Sequence, residues 1–226
     1  PDQARALLQD GFSQLEARER ASLLETLQVG LALPDEDFLE SLLADRSTEV
    51  DVRRTMETPS GYDAALWKAM ADLGLVGLII DPAYGGAGAG PVEVEAVFEE
   101  AGAALLCSPL LSSGVLAAGL LQALGDEDAN LRLLPAIANG SLIATAALTG
   151  PRGSWTPGAV AVRARADGDA CRLDGRASFV THAQVADVLL VAANAADGLA
   201  VFEVEPRAAG VTMTPLPTFD HTLRIA

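Results

Sequence analysis

The stretch ATAALTGPRGSWTP, residues 144–157, marks the place where the sequence changes its periodicity. It begins as a run of small residues typical of a buried strand and ends in hydroxyls, glycines, prolines and a lone Trp155. Up to about residue 139 apolar residues recur at helical intervals, whereas beyond Ser141 they alternate with polar residues. This change predicts an α+β fold, with an N-terminal all-helical domain followed by a small antiparallel β-barrel or sandwich domain.

Capping residues delimit the predicted helices. Asp63 is a typical N-cap for a helix that Gly74 ends, and Pro91 suits the first position of another helix. Asp126 caps a last helix, whose C-cap turn is Asn139-Gly140. Apolar repeats predict further helices within residues 4–15, 23–27, 34–43 and 113–124.

The second part of the chain carries strand and turn signals. Apolar and polar residues alternate over residues 160–165 and again over 201–205. Asp174-Gly175 predicts a hairpin turn, and Gly198 and Gly210 separate later strands.

The charge is strongly acidic and unevenly distributed. The 226 residues carry a net charge of −16, with 8 Lys/Arg against 23 Asp/Glu in residues 1–149 and 7 against 8 in residues 150–226. An acidic surface repels phosphate backbones, so we expect no nucleic-acid partner. The second part still has cations, which fit either a solvated strand face or a local anionic ligand: Arg163, Arg165, Arg172 and Arg176.

Residue usage also predicts the compartment and argues against a metal site. No apolar run reaches the roughly 18–20 residues of a membrane span, and no secretory signal is visible, so we expect a cytoplasmic protein without a membrane span. Cys107 and Cys171 occur in no metal-ligand spacing and read as reduced, structural thiols. His182 and His221 are the only histidines, so we expect no metal ligands.

A glycine-rich loop, Tyr84–Gly90, offers a competing interpretation. It follows the short apolar run Leu75–Ile80 and precedes a helix, which is the order of a nicotinamide-dinucleotide fold. The spacing does not match, because the third glycine of the GxGxxG pattern falls on Pro91 or Glu93. A loop between helices is the alternative.

Seven motifs, in order along the chain, make it resemble the acyl-CoA dehydrogenase family in its alanine-rich bacterial form. The resemblance covers roughly residues 38–226, with no counterpart for 1–37. The motifs are Leu66-Trp67 to Leu73-Gly74-Leu75, Asp81-Pro82-Ala83-Tyr84-Gly85-Gly86, Phe98-Glu99-Glu100-Ala101-Gly102, Leu133-Leu134-Pro135, Gly140-Ser141-Leu142-Ile143, Leu148-Thr149-Gly150-Pro151 and Gly175-Arg176-Ala177-Ser178-Phe179-Val180-Thr181-His182-Ala183.

The resemblance implies three segments and a flavin site on the last of them. These are an extra helical segment at 1–37, the family's N-terminal helical domain at 38–140 and its middle β domain at 141–226. In the family, the β domain binds the isoalloxazine ring of FAD. The implied FAD-binding residues are Leu148 and Thr149 at the pyrimidine edge, Ser154 near the diphosphate, Phe179 packed on the ring and Thr181 near N5.

The implied activity is the α,β-dehydrogenation of an acyl-CoA thioester, in fatty-acid or sterol side-chain catabolism. In most relatives the glutamate base lies in a third, C-terminal helical domain, which we expect outside these 226 residues; no residue here is assigned as catalytic. We therefore expect a homo- or hetero-oligomer with the chain or domain that supplies it.

Three departures from the family pattern suggest an alternative function. Gly150 stands in place of an acid, Arg152 in place of a small residue and Thr156 in place of an aspartate. They leave open a non-catalytic partner subunit that has lost flavin binding.

Overall fold

The computed structural model describes residues 49–168 and 170–226. The described residues divide into two compact units, the first ending at Leu142 and the second formed by Ile143–Ala226. The helices predicted within residues 4–43 lie outside the described residues.

The first unit is helical throughout its described part. Short turns connect its helices, including a 3₁₀ turn at Pro82–Tyr84. The α-helices are α1 (Glu49–Glu57), α2 (Ala64–Asp72), α3 (Pro91–Ala103), α4 (Ala118–Leu124) and α5 (Glu127–Ala138). None of the described helices is both long and apolar enough to cross a membrane.

The predicted helix ends are confirmed at several places. The Asp63 carboxylate accepts hydrogen bonds from the N–H groups of Ala65 (2.7 Å) and Leu66 (3.0 Å) at the start of α2. Asp126 accepts one from Ala129 (3.1 Å) at the start of α5. In each case the carboxylate satisfies a donor that has no partner within the helix.

Loss of the Asp63 cap should destabilise the helical unit modestly. For Asp63→Ala we expect the free energy of unfolding to fall by about 1 kcal/mol, because two N–H groups of α2 lose their acceptor. Urea unfolding followed by circular dichroism at 222 nm measures this change. Asp63→Asn retains an acceptor oxygen and should keep most of the stability; equal losses for both variants would contradict the capping role.

The helix predicted at 113–124 begins earlier and changes type along its length. A π-helical segment, Leu110–Ala117, precedes α4. Within it Gly114 approaches the backbone of Val76, where a Cβ atom would lie 2.7 Å from the Val76 carbonyl oxygen. Ser112 and Ser113 are buried on the same segment. Apolar periodicity does not distinguish a π-turn from an α-turn, so this change of helix type was not predictable from the apolar pattern.

Large apolar side chains fill the interior of this unit. The indole N–H of Trp67 donates to the carbonyl oxygen of Gly140 (2.9 Å) and so ties α2 to the turn after α5. The largest fully buried apolar side chains here are Met70, Val76, Ile80, Leu134 and Ile137.

The second unit is a five-stranded sheet centred on its longest strand. The strands are β1 (Ala144–Ala147), β2 (Arg163–Asp167), β3 (Ala170–Asp174), β4 (Val188–Ala195) and β5 (Gly198–Val204). Strand β5 runs antiparallel to β4, while β1 and β2 both pair with β4 in parallel. Strand β3 pairs with β2 as an antiparallel hairpin.

The α+β class and the order of the two parts are confirmed, but the sheet is mixed and is not closed into a barrel. Ala144 pairs with Val188 and Ala147 with Val191 in a parallel register, where an antiparallel arrangement was expected. Alternation with a period of two places side chains on two faces and carries no information on strand direction.

The hairpin turn predicted at Asp174-Gly175 is wrong. The register pairs Asp167 with Ala170, so the turn follows Asp167 and uses Gly168, at a φ of 65°. Gly175 instead lies beyond β3 with a φ of 141°, where a Cβ would approach the Ala161 carbonyl oxygen to 2.7 Å. Both places carry an Asp-Gly pair, so turn chemistry alone does not choose between them.

One face of the sheet is only partly covered. Its buried cluster contains four residues, Ala147, Val180, Ala183 and Leu189, with partly buried apolar residues around them. A cavity of about 480 Å³ opens on this face. Its apolar lining includes Val162, Leu189, Val191, Val204, Val211 and Met213.

Candidate functional site

The end of β1 lies beside the segment 178–182, and this pairing brings most of the predicted site residues together. The Thr149 hydroxyl donates to the carbonyl oxygen of Ser178, and the Ser178 N–H donates to the Thr149 carbonyl oxygen (3.3 Å). Thr149 is buried, whereas the preceding Leu148 is half-buried. These two hydrogen bonds between Thr149 and Ser178 therefore fix the backbone at the position predicted to bind the pyrimidine edge.

Thr181 is held further along the same segment. The buried Thr145 hydroxyl donates to the Thr181 carbonyl oxygen (2.6 Å), and Thr181 forms an antiparallel bridge with Ile225. Reciprocal backbone bonds between Val180 and Ala226 (2.7 and 3.0 Å) flank this bridge. Thr181 thus lies three residues from Ser178 on a segment anchored on two sides.

Phe179 lies between these anchors in an unusual conformation. Its φ of 59° is in the left-handed region, and its side chain is 47% exposed. The ring lies against Gly153, where a Cβ atom would be 3.2 Å from Phe179 Cδ2 and Cε2. A bulky residue in this backbone region is strained, and such strain concentrates at ligand sites.

The loop after Thr149 closes on itself. The Gly150 N–H donates to the Ser154 carbonyl oxygen (3.2 Å), and the Gly153 N–H donates to the Gly150 carbonyl oxygen (2.9 Å). Ser154 Oγ lies 3.0 Å from Thr156 Oγ1. A Cβ atom on Gly150 would lie 2.0 Å from the carbonyl oxygen of Ala159, so the acidic side chain usual in the family has no room in this loop conformation.

Two residues that hold segment 178–182 in place, Thr145 and His182, were not among the residues predicted for the site. Thr145 is buried and orients the Thr181 carbonyl, as described above. His182 is also buried, with a left-handed φ of 53°, and its backbone N–H donates to the Arg224 carbonyl oxygen (2.7 Å). Burial, with a smaller contribution from the charge of Arg224, lowers the pKa of His182 to about 4. Both roles depend on contacts between residues that are distant in the sequence, Thr145 with Thr181 and His182 with Arg224, which periodicity and turn signals do not predict.

The described residues offer no metal-binding arrangement. Among them, no three His, Cys, Asp or Glu side chains come together in a group that could hold an ion.

The glycine loop of the helical unit does not have the structure of a dinucleotide-binding loop. Its N–H groups donate to nearby main-chain carbonyls: Ala87 to Gly77 (3.0 Å), Gly88 to Ile80 (2.8 Å) and Ala89 to Leu78 (2.8 Å). A phosphate site needs such N–H groups to be available. The sheet of residues 143–226 has no α-helices between its strands, as far as the structure describes it, so the nicotinamide-dinucleotide interpretation is wrong.

Comparisons with known proteins agree on one family. A family model described as "Acyl-CoA dehydrogenase, N-terminal domain" matches residues 36–141, and a family of unknown function (DUF5691) matches residues 1–56. Acyl-CoA dehydrogenase FadE27 of Mycobacterium tuberculosis is 34% identical over 157 residues, which are 70% of this chain and 41% of FadE27.

Solved structures match over nearly the whole chain. The ChsE4–ChsE5 complex from Mycobacterium tuberculosis gives a TM-score of 0.75 at 28% identity, covering 95% of this chain and 54% of that chain. A Tcur3481–Tcur3483 steroid ACAD variant gives 0.72 at 27% identity, covering 93% and 54%. The chain thus spans about half the length of the proteins it matches.

Proposed function

The chain belongs to the acyl-CoA dehydrogenase family, and on that premise we propose that it forms part of a flavin-dependent oxidoreductase that removes two hydrogens across Cα–Cβ of an acyl-CoA thioester. Its sheet unit would bind FAD, with Leu148, Thr149, Ser154, Phe179 and Thr181 as the contacts. The helical unit would correspond to the family's N-terminal domain.

One observation carries this proposal: hydroxyl groups and a strained, half-exposed aromatic ring lie along β1 and the loop that follows it. Thr149 and Thr181 lie on adjacent, mutually anchored segments, with Phe179 between the anchors. A flavin has an apolar ring face and a polar rim of acceptors and one donor. The residues present fit such a group, since an aromatic face, hydroxyls and main-chain groups occur on these two adjacent segments.

Each residue has a distinct proposed role toward the flavin, which when bound accepts a hydride from the substrate. Thr149 and the backbone at Leu148 orient the pyrimidine rim, and Thr181 positions its hydroxyl toward the opposite edge. The Phe179 ring excludes water from one side. The closed loop at 150–154 holds Ser154 beside Gly150, and so near the proposed flavin position.

The base that removes the α-proton is proposed to come from a domain or chain outside these residues. Such a carboxylate needs a dry pocket, which keeps its basicity suitable for the reaction. Among the residues whose burial the structure describes, no Asp or Glu is buried. The half-covered sheet face and the multi-chain complex among the similar structures support an oligomer that includes a further chain or domain.

We infer the substrate class from the relatives. A steroid ACAD variant is among the similar structures, so a fatty-acyl or sterol side-chain thioester of coenzyme A is the proposed substrate.

Both cysteines are free thiols, Cys107 buried and Cys171 exposed, which supports a reducing, cytoplasmic setting.

Removing the Thr181 hydroxyl tests the cofactor proposal. In Thr181→Val, flavin affinity should fall about tenfold, because a hydrogen bond to the flavin edge is lost while the side-chain volume is kept. The measurement is flavin bound per protein by absorbance, after dialysis of the protein in its natural assembly.

Thr214→Val is the matched control, since Thr214 is an exposed threonine of the same unit. It should leave flavin content unchanged. An unchanged flavin content in Thr181→Val would remove Thr181 from the site, and a colourless wild-type assembly would instead support the non-catalytic partner subunit.

A further inference from the structure

We propose that Thr145 is a positioning residue of the proposed flavin site: its hydroxyl fixes the Thr181 peptide and thereby directs the Thr181 side chain toward the flavin. The inference rests on the proposed function, since Thr145 acts only through a residue of that site. Thr145 lies outside the seven sequence motifs, and its side chain is fully buried, so it makes no contact with the flavin itself.

The Thr145 side chain lies among apolar residues. The parallel register pairs Thr145 with Leu189, and alternation along β1 puts its side chain on the same face as Ala147. Ala147 and Leu189 belong to the buried cluster that also contains Val180. A valine has the same shape and suits a buried strand without adding a polar atom, so packing alone does not account for the hydroxyl.

The Thr145 hydroxyl donates a short hydrogen bond to the carbonyl oxygen of Thr181 (2.6 Å). Thr181 forms an antiparallel bridge with Ile225 in which the residues on either side of Thr181 make the backbone hydrogen bonds to 224–226. In such a pair, the peptide groups of the central residue point away from the partner strand. Thr145 therefore holds the Thr181 carbonyl from the side opposite to 224–226.

A second threonine holds the same segment at its start. The Thr149 hydroxyl donates to the Ser178 carbonyl oxygen, so two hydroxyls on one stretch of chain hold two carbonyls on the other. Phe179, with its left-handed φ of 59°, lies between the two carbonyls. Because a strained conformation persists only where its surroundings determine it, both contacts are needed to keep this segment in place.

Loss of the Thr145 hydroxyl should misplace the Thr181 side chain. A carbonyl left without its donor away from water is unfavourable, so the Thr181 peptide would rotate toward another donor. That rotation moves the Thr181 hydroxyl, and a hydrogen bond to the flavin weakens steeply when its geometry is poor. Thr145→Val should therefore weaken FAD binding although Thr145 does not touch FAD.

A graded series at position 145 tests the role of the donor. The dissociation constant of FAD is measured by equilibrium dialysis on the protein in its natural assembly, after removal of bound flavin. Thr145→Val should weaken FAD binding about fivefold, and Thr145→Ser should stay within about twofold of the wild type. Thr145→Cys has the shape of Thr145→Ser but a weaker donor, so it should bind FAD about threefold more weakly than Thr145→Ser.

A double-mutant cycle with Thr181→Val tests whether Thr145 acts through the Thr181 hydroxyl. Thr181→Val alone should weaken FAD binding about tenfold, as proposed above. Independent effects would multiply to about fiftyfold in the double variant. If Thr145 only positions that hydroxyl, the double variant should instead lose about tenfold, because the group that Thr145 positions is already absent.

Asn194→Ala is the matched control for loss of a side-chain donor in the same unit. The Asn194 amide donates to the Val160 carbonyl oxygen (2.7 Å). Asn194 lies five residues along β4 from Leu189, which pairs with Thr145, or about 17 Å in a strand. Asn194→Ala should leave FAD binding within about twofold of the wild type. A loss as large as that in Thr145→Val would overturn the inference, because it would reflect general loosening of the sheet unit.

The outcomes separate this inference from the proposed function. If Thr181→Val weakens FAD binding but Thr145→Val does not, the inference is overturned and the proposed function stands. A fiftyfold loss in the double variant, or equal constants for Thr145→Ser and Thr145→Cys, would also overturn it; the second comparison holds even where Thr145→Val does not fold. If the wild-type assembly binds no FAD, both the inference and the proposed function are overturned.

Discussion

Replacing Gly86 by Ala should destabilise the helical unit by about 3 kcal/mol, whereas the same replacement at Gly102 should stabilise it by about 0.5–1 kcal/mol. Gly86 is buried, and a Cβ atom there would lie 2.1 Å from the Ile80 carbonyl oxygen and 2.4 Å from Ile80 Cβ. No atom within 4 Å would meet a Cβ at Gly102, which is exposed on α3.

The two signs follow from different causes. At Gly86 the added methyl group must displace backbone, which is the most rigid neighbour it could meet. At Gly102 the methyl group meets no atom and reduces the conformational freedom of the unfolded chain within a helix.

Urea unfolding monitored at 222 nm measures both changes in the free energy of unfolding. Gly119→Ala is a useful intermediate case, because its Cβ would make an ordinary contact of 3.6 Å with Ile79 Cδ1. Equal effects at Gly86 and Gly102 would show that the glycine loop is not packed as described.

The second large effect expected is a loss of stability in mild acid, caused by His182. Its pKa of about 4 in the folded protein lies below the ordinary value of 6.5, because burial disfavours the charged imidazolium. In the unfolded chain the side chain takes up its proton more readily. Between pH 6.5 and pH 4 the unfolded state therefore binds more protons, and stability falls as pH falls.

The size of this effect follows from the shift in pKa. A difference of this size corresponds to about 3 kcal/mol in total, fully present above pH 6.5 and lost progressively as pH approaches 4. Between pH 7 and pH 5 the loss should be about 2 kcal/mol.

His182→Asn is the appropriate comparison for this measurement. Asn tolerates the left-handed backbone that His182 adopts at a φ of 53°, and it does not titrate. Subtracting the variant's stability from that of the wild type at each pH isolates the histidine. A difference that does not change between pH 7 and pH 5 would contradict a buried neutral imidazole.

Local signals in the sequence were sufficient to predict where α2, α3 and α5 begin. Asp63, Pro91 and Asp126 act at helix ends, where a side chain within a few residues decides the structure. The π-helical segment at Leu110–Ala117 escaped prediction because it depends on the close approach of Gly114 to Val76, a contact between distant parts of the chain.

Strand direction and turn choice in the sheet unit were not predictable in the same way. The parallel register of β1 on β4 and the position of the hairpin at Gly168 depend on which strands meet in space. Periodicity predicted the strands near 160–165 and 201–205 but left their partners undetermined.

The residues of the candidate site were predicted from the family motifs, because their residue types alone do not indicate a binding site. Thr149 and Thr181 are ordinary strand threonines by residue type. The structure adds three features that the motifs did not predict: the hydrogen bond from the Thr145 hydroxyl to the Thr181 carbonyl oxygen, the burial of His182, and the lack of room for a side chain at Gly150.

The left-handed backbone of Phe179 lowers the stability of the fold, while its ring is the part that the proposed flavin site uses. Glycine adopts a φ of 59° without penalty, so a chain selected for thermal endurance alone would gain by losing the ring at this position. Phenylalanine at this position costs free energy through backbone strain, and other contacts of the sheet unit must compensate for that cost. Directed evolution for heat tolerance should therefore replace this aromatic residue early, and the selected variants would lack the ring that the proposed flavin site uses.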